Sequence, residues 1–301
     1  MADITITEGE FKLPDGTVLY QKTWSPATPK AKLAHFHGFS DHINNYNDFF
    51  SLLARHGILC SGIDGRGWGR SAPKKSDRGN TGPTSLTLAD MAAFIESQKT
   101  DVFPELPLFV SDHSMGGGLV ATFASTPKYQ PLVSSLRGIL CLAPLMGLTP
   151  EQTPSSVTVF LGRLAGKVLP RFQLVEKMRV ETLVRDPEVQ RSLKEDPLNH
   201  ATGTLEMFAN MLDRMIALDE GKLVLVDGVQ SVFLAHGTGD NCTSYDASKR
   251  WFEKQTTRVP ETEKLHKSYD GWSHLLHSDL PENVPVYADD IATWILGRSA
   301  A

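Results

Sequence analysis

Between Leu108 and Gly118 a short apolar strand runs straight into a glycine-rich helix start, with Ser114 at the corner. No other stretch narrows the choice of fold so far. A strand that turns sharply into a helix needs a sheet to lie in and helices to cover it, and it lifts the serine hydroxyl above the sheet edge. Crowding at such a corner normally demands glycine two residues before and two residues after the serine. Gly116 meets the second requirement, whereas Asp112 stands at the first. A carboxylate there is expected to press on the neighbouring strand unless the packing widens, and to point into solvent or a polar gap. Taken alone, Ser114 could also be a helix-capping serine.

The same alternation continues on both sides of that corner. Phe11-Lys12-Leu13 and Val18 to Trp24 flank Pro14-Asp15-Gly16 and read as a hairpin. Strands are predicted at Lys32 to Phe36, Ile58 to Ile63, Gly138 to Ala143, Val232 to Ala235 and Lys264 to Tyr269. Helices are predicted at Tyr46 to His56, Leu86 to Gln98, Tyr245 to Lys254 and Val284 to Leu296. This order implies an α/β fold with a mostly parallel central sheet flanked by helices. From residue 145 to about 225 the signals are helical only. Val157, Phe160, Leu161, Leu164, Ala165, Val168 and Leu169 repeat at helical spacing until Pro170, and Leu205, Phe208, Leu212, Met215 and Ile216 do likewise. The expected organisation is a core of residues 1–144 and 226–301, with 145–225 inserted as a helical cap.

Two late loops supply what a reactive serine needs. Val232 to Ala235 runs into His236-Gly237-Thr238-Gly239-Asp240, and Lys264 to Tyr269 runs into Asp270-Gly271-Trp272-Ser273-His274. Loops at carboxyl strand ends are where an open α/β sheet puts its chemistry. Ser114 Oγ is a weak nucleophile until a base takes its proton, and His274 is the candidate base. Asp240 would hold the imidazole in the right tautomer and stabilise the imidazolium. His113 and His277 read as structural, and Asp246, inside a predicted helix, is the lesser rival of Asp240. Acyl transfer also builds charge on a carbonyl oxygen, which fixed backbone N–H groups stabilise. Met115, after the serine, is one candidate donor; Phe39, in the loop His37-Gly38-Phe39-Ser40-Asp41-His42, is the other.

Composition removes other classes. The net charge of -5 leaves no basic footprint, so no nucleic-acid partner is expected. Ten scattered histidines form no ligand tract, and Cys60, Cys141 and Cys242 form no CxxC pair. Neither a metal nor a disulfide framework is expected, and a reducing, cytoplasmic location is the simplest reading. The N-terminus does not read as a secretory signal. No window holds the roughly 18 apolar residues of a membrane span.

Together these residues resemble the monoacylglycerol lipase group of α/β-hydrolases, lysophospholipase-like serine hydrolases. His37-Gly38-Phe39-Ser40-Asp41-His42 looks like the group's His-Gly-x-Gly-Glu-His loop, with Ser40 and Asp41 as departures. Asp64-Gly65-Arg66-Gly67-Trp68-Gly69-Arg70-Ser71 is similar to its Asp-x-Arg-Gly-x-Gly-x-Ser stretch. His113-Ser114-Met115-Gly116-Gly117 matches its elbow, apart from Asp112, and Gly271 to His277 looks like its Gly-x-x-His segment with a second histidine three on. Leu169-Pro170 and Glu195-Asp196-Pro197-Leu198 sit where similar short cap motifs are expected. The resemblance implies the α/β-hydrolase fold, a Ser-Asp-His mechanism without cofactor, a cap that shapes an acyl pocket, and monoacylglycerols or related lipid esters as substrates.

Met207, Met211 and Met215 recur every four residues in the cap. They suit a deformable lipid pocket, and equally a stripe that only packs the cap on the core. The helix from Val157 to Leu169 is a candidate for contact with a membrane or lipid-droplet surface. Cys242 is either near the site or an inert loop thiol. Oligomeric state is not legible in the sequence. Three functions stay open: hydrolysis of lipid or short-chain esters, another acyl transfer (transferase, thioesterase or peptidase), and non-catalytic binding, motivated by Asp112.

Overall fold

The computed structural model describes residues 3–100, 103–148, 155–176 and 178–299. β1 (Ile4–Lys12) and β2 (Val18–Pro26) form the expected antiparallel hairpin, with Phe11 opposite Leu19. The alternating core follows as β3 (Ala31–Phe36), α1 (Asn47–Arg55), β4 (Ile58–Ile63) and α2 (Thr84–Lys99). It continues with β5 (Leu108–His113), α3 (Met115–Phe123), the short α4 (Gln130–Ser134) and β6 (Gly138–Leu142). An excursion comes next: α5 (Ser156–Val168), β7 (Gln173–Val175), α6 (Pro187–Glu195), β8 (Thr202–Thr204) and α7 (Leu205–Asp219). The chain then closes with β9 (Val232–Gly237), α8 (Tyr245–Gln255), β10 (Lys264–Tyr269) and α9 (Asn283–Leu296).

Eight strands form one sheet in the order β1-β2-β4-β3-β5-β6-β9-β10. β2 pairs antiparallel with β4, and every pair from β4 to β10 is parallel. β3, β4, β5, β6 and β9 are buried along their whole length, which is why they read as apolar runs rather than alternating ones. α2, α3 and α8 cover one face through Phe94, Val120, Phe123 and Trp251. α1 and α9 cover the other through Phe49, Phe50, Ile291 and Trp294. In α1 the apolar residues fall at helical spacing, and Gly57, at φ +97°, ends the run. Strand order reverses at β3, with β4 on one side and β5 on the other. The crevice at such a switch point gathers the loops that leave the carboxyl ends of the strands.

The excursion differs from the expected all-helical block. β7 and β8 pair antiparallel, Gln173 opposite Thr204 and Val175 opposite Thr202. Three-residue strands are too short to show a period of two, so only helices were visible. α6 was not expected either; it opens on Asp186, whose side chain accepts the Glu188 N–H, with Pro187 in the first turn. On α5, Phe160, Leu161, Leu164 and Val168 are 64%, 55%, 50% and 67% exposed, so the stripe read from the helical spacing turns outward. The side chain of Val157 lies outside the described residues.

Candidate active site

Ser114 sits at the corner between β5 and α3 with φ 60° and ψ -117°. A positive φ on a residue with a Cβ costs roughly 1–2 kcal/mol. β6 and the segment that follows it hold it there: the Ser114 N–H donates to Leu142 O at 3.0 Å, and the Leu145 N–H donates to Ser114 O at 2.7 Å. The close approach that forbids a side chain falls on Gly116, where a Cβ would lie 2.8 Å from His37 O and 2.9 Å from Phe36 O.

Asp112 behaves differently from expectation. Its side chain points neither to solvent nor into a polar gap; the residue is wholly buried. Oδ2 accepts the Val120 N–H of α3 at 2.7 Å, while Oδ1 has no partner. Burial pushes this carboxyl well above its usual range, and the Val120 bond offsets only part of that. That burial favours the protonated form, and the carboxyl is bonded to α3, not to Ser114.

The three distant loops converge. His274 Nε2 lies 2.8 Å from Ser114 Oγ, and His274 Nδ1 lies 2.7 Å from Asp240 Oδ2. Asp240 and His274 are both buried, and Ser114 is partly open. Burial alone would raise the Asp240 carboxyl, but His274 and the hydrogen bonds from His236 and His274 outweigh it and hold the group well below its usual range. Burial would likewise depress His274; Asp240, with a contribution from Cys242, outweighs it and raises the imidazole well above its usual value.

Two members of this cluster were not expected. His236, read as the start of a loop, is the penultimate residue of β9 and places Nε2 3.1 Å from Asp240 Oδ2. Thr243 donates its hydroxyl to the same oxygen at 2.9 Å. The N–H groups of Cys242 and Thr243 bond Asp240 Oδ1 at 2.7 and 2.9 Å, which puts Cys242 beside the site. A polar residue late in an otherwise apolar strand, four before the acid, is the one signal that could have singled out His236. The rivals stay apart from these contacts. His277 stacks on Tyr46 at 4.1 Å and burial pushes it down to about 4. His113 is buried with Nε2 3.2 Å from His274 O, and Asp246 is exposed in the first turn of α8.

The loop after β3 is built against the elbow. A Cβ on Gly38 would come within 3.1 Å of Ser114 Cβ and 3.2 Å of His113 O, so this is more than a turn. The Gly65 N–H donates to His37 Nε2, which leaves Nδ1 as the protonated nitrogen and lets it donate to Gly38 O at 2.8 Å. Ser40 takes φ +56°, a region that suits the glycine of the related motif. Its Oγ accepts the Ala201 N–H at 2.9 Å, so the excursion grips this loop. His42 Nε2 with Asp196 Oδ2 (2.9 Å) and Asn45 with Asn199 (3.1 Å) extend that grip. Asp41 accepts from the Tyr46 hydroxyl at 2.6 Å and from the His42 N–H at 2.8 Å. Among the described residues, neither the Phe39 nor the Met115 N–H has a hydrogen-bond acceptor.

Ser114 and His274 open into a cavity of about 610 Å³, also bounded by Phe39 and by Val175, Met178, Leu183 and Leu193 of the excursion. That volume is in the range of small-molecule sites. Met207, Met211 and Met215 do not line it. Met207 packs with Trp68 and Met115, with Met211 alongside, and lines a separate cavity of about 50 Å³; Met215 is buried. α7 turns its methionines down onto the core, and the methionine of the large cavity is Met178.

Comparison with known proteins gives a consistent picture. The model of the Hydrolase_4 family, described as serine aminopeptidase, S33, matches residues 27–281. A Schizosaccharomyces pombe protein provisionally named a monoglyceride lipase is 33% identical over 286 residues, 93% of this chain and 72% of that one. The monoacylglycerol lipase of Mycolicibacterium smegmatis is 27% identical over 99% of this chain and 100% of its own. A soluble variant of Saccharomyces cerevisiae monoglyceride lipase, solved with a substrate analogue, superposes with a TM-score of 0.82 at 20% identity, covering 99% of this chain and 97% of that one. This last likeness speaks for the fold.

Proposed function

The chain belongs to the Hydrolase_4 family, a monoglyceride lipase-like serine hydrolase of the α/β-hydrolase superfamily, and from that premise we propose that it cleaves monoacylglycerols or related lipid esters through Ser114, His274 and Asp240. The observation that carries this reading is the bonded chain from Ser114 Oγ through His274 to Asp240 on the wall of the 610 Å³ cavity. Ser114 Oγ attacks the ester carbonyl as His274 Nε2 takes its proton. The oxyanion falls to the Phe39 and Met115 N–H groups. Collapse returns the proton from His274 to the leaving alcohol, and water, activated by the same imidazole, then releases the acid from Ser114. Asp240 fixes the tautomer throughout.

In this reading residues 145–225 are the cap, and its Val175, Met178, Leu183 and Leu193 form the apolar wall that receives an acyl chain. The outward face of α5 belongs to the same picture. Phe160, Leu161, Leu164 and Val168, with Phe172 and Val175 beyond the helix, expose apolar surface beside Arg163, Lys167 and Arg171. Apolar and basic side chains in that arrangement suit a lipid interface. No helix among the described residues is long and apolar enough to cross a membrane.

A fluorophosphonate probe tests the nucleophile: folded protein should be labelled, and Ser114→Ala should not. Product analysis on a monoacylglycerol series beside p-nitrophenyl esters tests the substrate. Medium and long acyl chains should exceed acetyl in kcat/KM, and brisk acetyl cleavage with no monoacylglycerol hydrolysis would overturn the lipid reading. The family's description keeps a peptidase as the second reading. Release of an N-terminal residue from peptides, without ester turnover, would select it.

A further inference from the structure

His236 is a buried ionisable side chain that the reaction above does not use. It is wholly buried at the end of β9, with both ring nitrogens matched. Nε2 faces Asp240 Oδ2 at 3.1 Å, and Nδ1 faces Ser248 Oγ on α8 at 3.0 Å. Oδ2 is also the atom that His274 Nδ1 reaches at 2.7 Å and Thr243 Oγ1 at 2.9 Å. Two imidazoles thus meet on one carboxylate oxygen. Packing alone would be served by any ring of this size; it does not explain a partner for each nitrogen.

The consequence is electrostatic. A carboxylate pulls on the proton of a bonded imidazole, and each further donor on the same oxygen weakens that pull while favouring the ionised carboxylate. We propose that His236 is a positioning residue that sets the proton affinity of His274 through Asp240. By donating Nε2–H to Oδ2 it keeps Asp240 ionised and aimed, and it limits the hold of Asp240 on the His274 proton. His274 is then a free base at a lower pH than Asp240 alone would allow. The inference rests on the reading of Ser114, His274 and Asp240 given above.

The surroundings are defined. His113, His277 and Cys242 face His274, and Asp41 acts on His113 and His277. Tyr245 and His266 lie on the other side of His236. None of them changes in the test. His236→Leu removes the donor, His236→Asn carries an amide too short to reach Asp240, and His236→Gln carries one that can.

The imidazole of His274 is followed by NMR of protein labelled with ¹⁵N-histidine, across a pH series, and assigned with His274→Gln. Its midpoint should rise by about half a pH unit or more in the Leu and Asn variants, and stay within about 0.2 of the parent in the Gln variant. The Asn variant carries the test if leucine impairs folding. An unmoved or lowered midpoint in the donor-less variants, or a shift in the Gln variant as large as theirs, overturns the proposal. The resonance is read whether or not the protein turns over an ester. Loss of the Ser114 adduct would therefore sink the hydrolase reading without deciding this one. In active protein the acid limb of kcat/KM should move with the midpoint.

Discussion

A buried carboxyl group with one donor is an expensive thing to ionise, and Asp112 is that group. Its folded pKa is raised, so the folded state keeps a proton that the unfolded chain gives up near pH 4. Stability then falls as pH climbs from that value toward the folded one. Asp112→Asn keeps a carbonyl for the Val120 N–H and has nothing to ionise. Its Tm should match the parent near pH 4 and exceed it by a margin that widens as the pH rises above that, at about 2–4 °C per kcal/mol. A gain that is flat with pH would contradict the raised carboxyl. The raised His274 has the opposite use. The proposed reaction needs it unprotonated, so the acid limb of kcat/KM should fall above pH 6.5 or so, the ordinary histidine value. Ser114, His274 and Asp240 were legible because each follows a strand in a loop of small and polar residues. His236 and Thr243 were less so, because their part comes from how the short loop around Asp240 folds back on its carboxylate, and the one trace of that in the sequence is a polar residue late in an apolar strand.

Elements were legible in proportion to their length. The parallel strands and α1, α2, α8 and α9 stand within a few residues of where periodicity puts them. The ladder of β7 with β8 was invisible because three residues carry no period. α5 shows another limit: a hydrophobic stripe reveals a face, not what the face meets. Replacing Phe160 and Leu164 together by aspartate should weaken cosedimentation with anionic vesicles at least about tenfold, since each removes apolar area from the interface and adds charge. Hydrolysis of a short soluble p-nitrophenyl ester should stay within about twofold, because neither side chain lines the cavity of Ser114. Unchanged vesicle binding would assign that face another purpose.

At the scale of the molecule, the three thiols report on opening. Cys60 and Cys141 are buried in central strands and burial raises both, whereas Cys242 is partly exposed beside the site. In native protein one thiol should react promptly with a disulfide reagent, and the other two should follow only as the whole sheet opens. Three prompt thiols would mean a looser core than the one described. The fold itself was readable because a parallel sheet with covered faces leaves a rhythm in the sequence, while the grip between Ser40 and Ala201 joins residues 161 apart and leaves none. Through Ser40, His42 and Asn45, residues 196–201 fasten the loop that bears Phe39, so the contacts that seat the excursion also hold that loop against the elbow, and loosening either end would loosen the other.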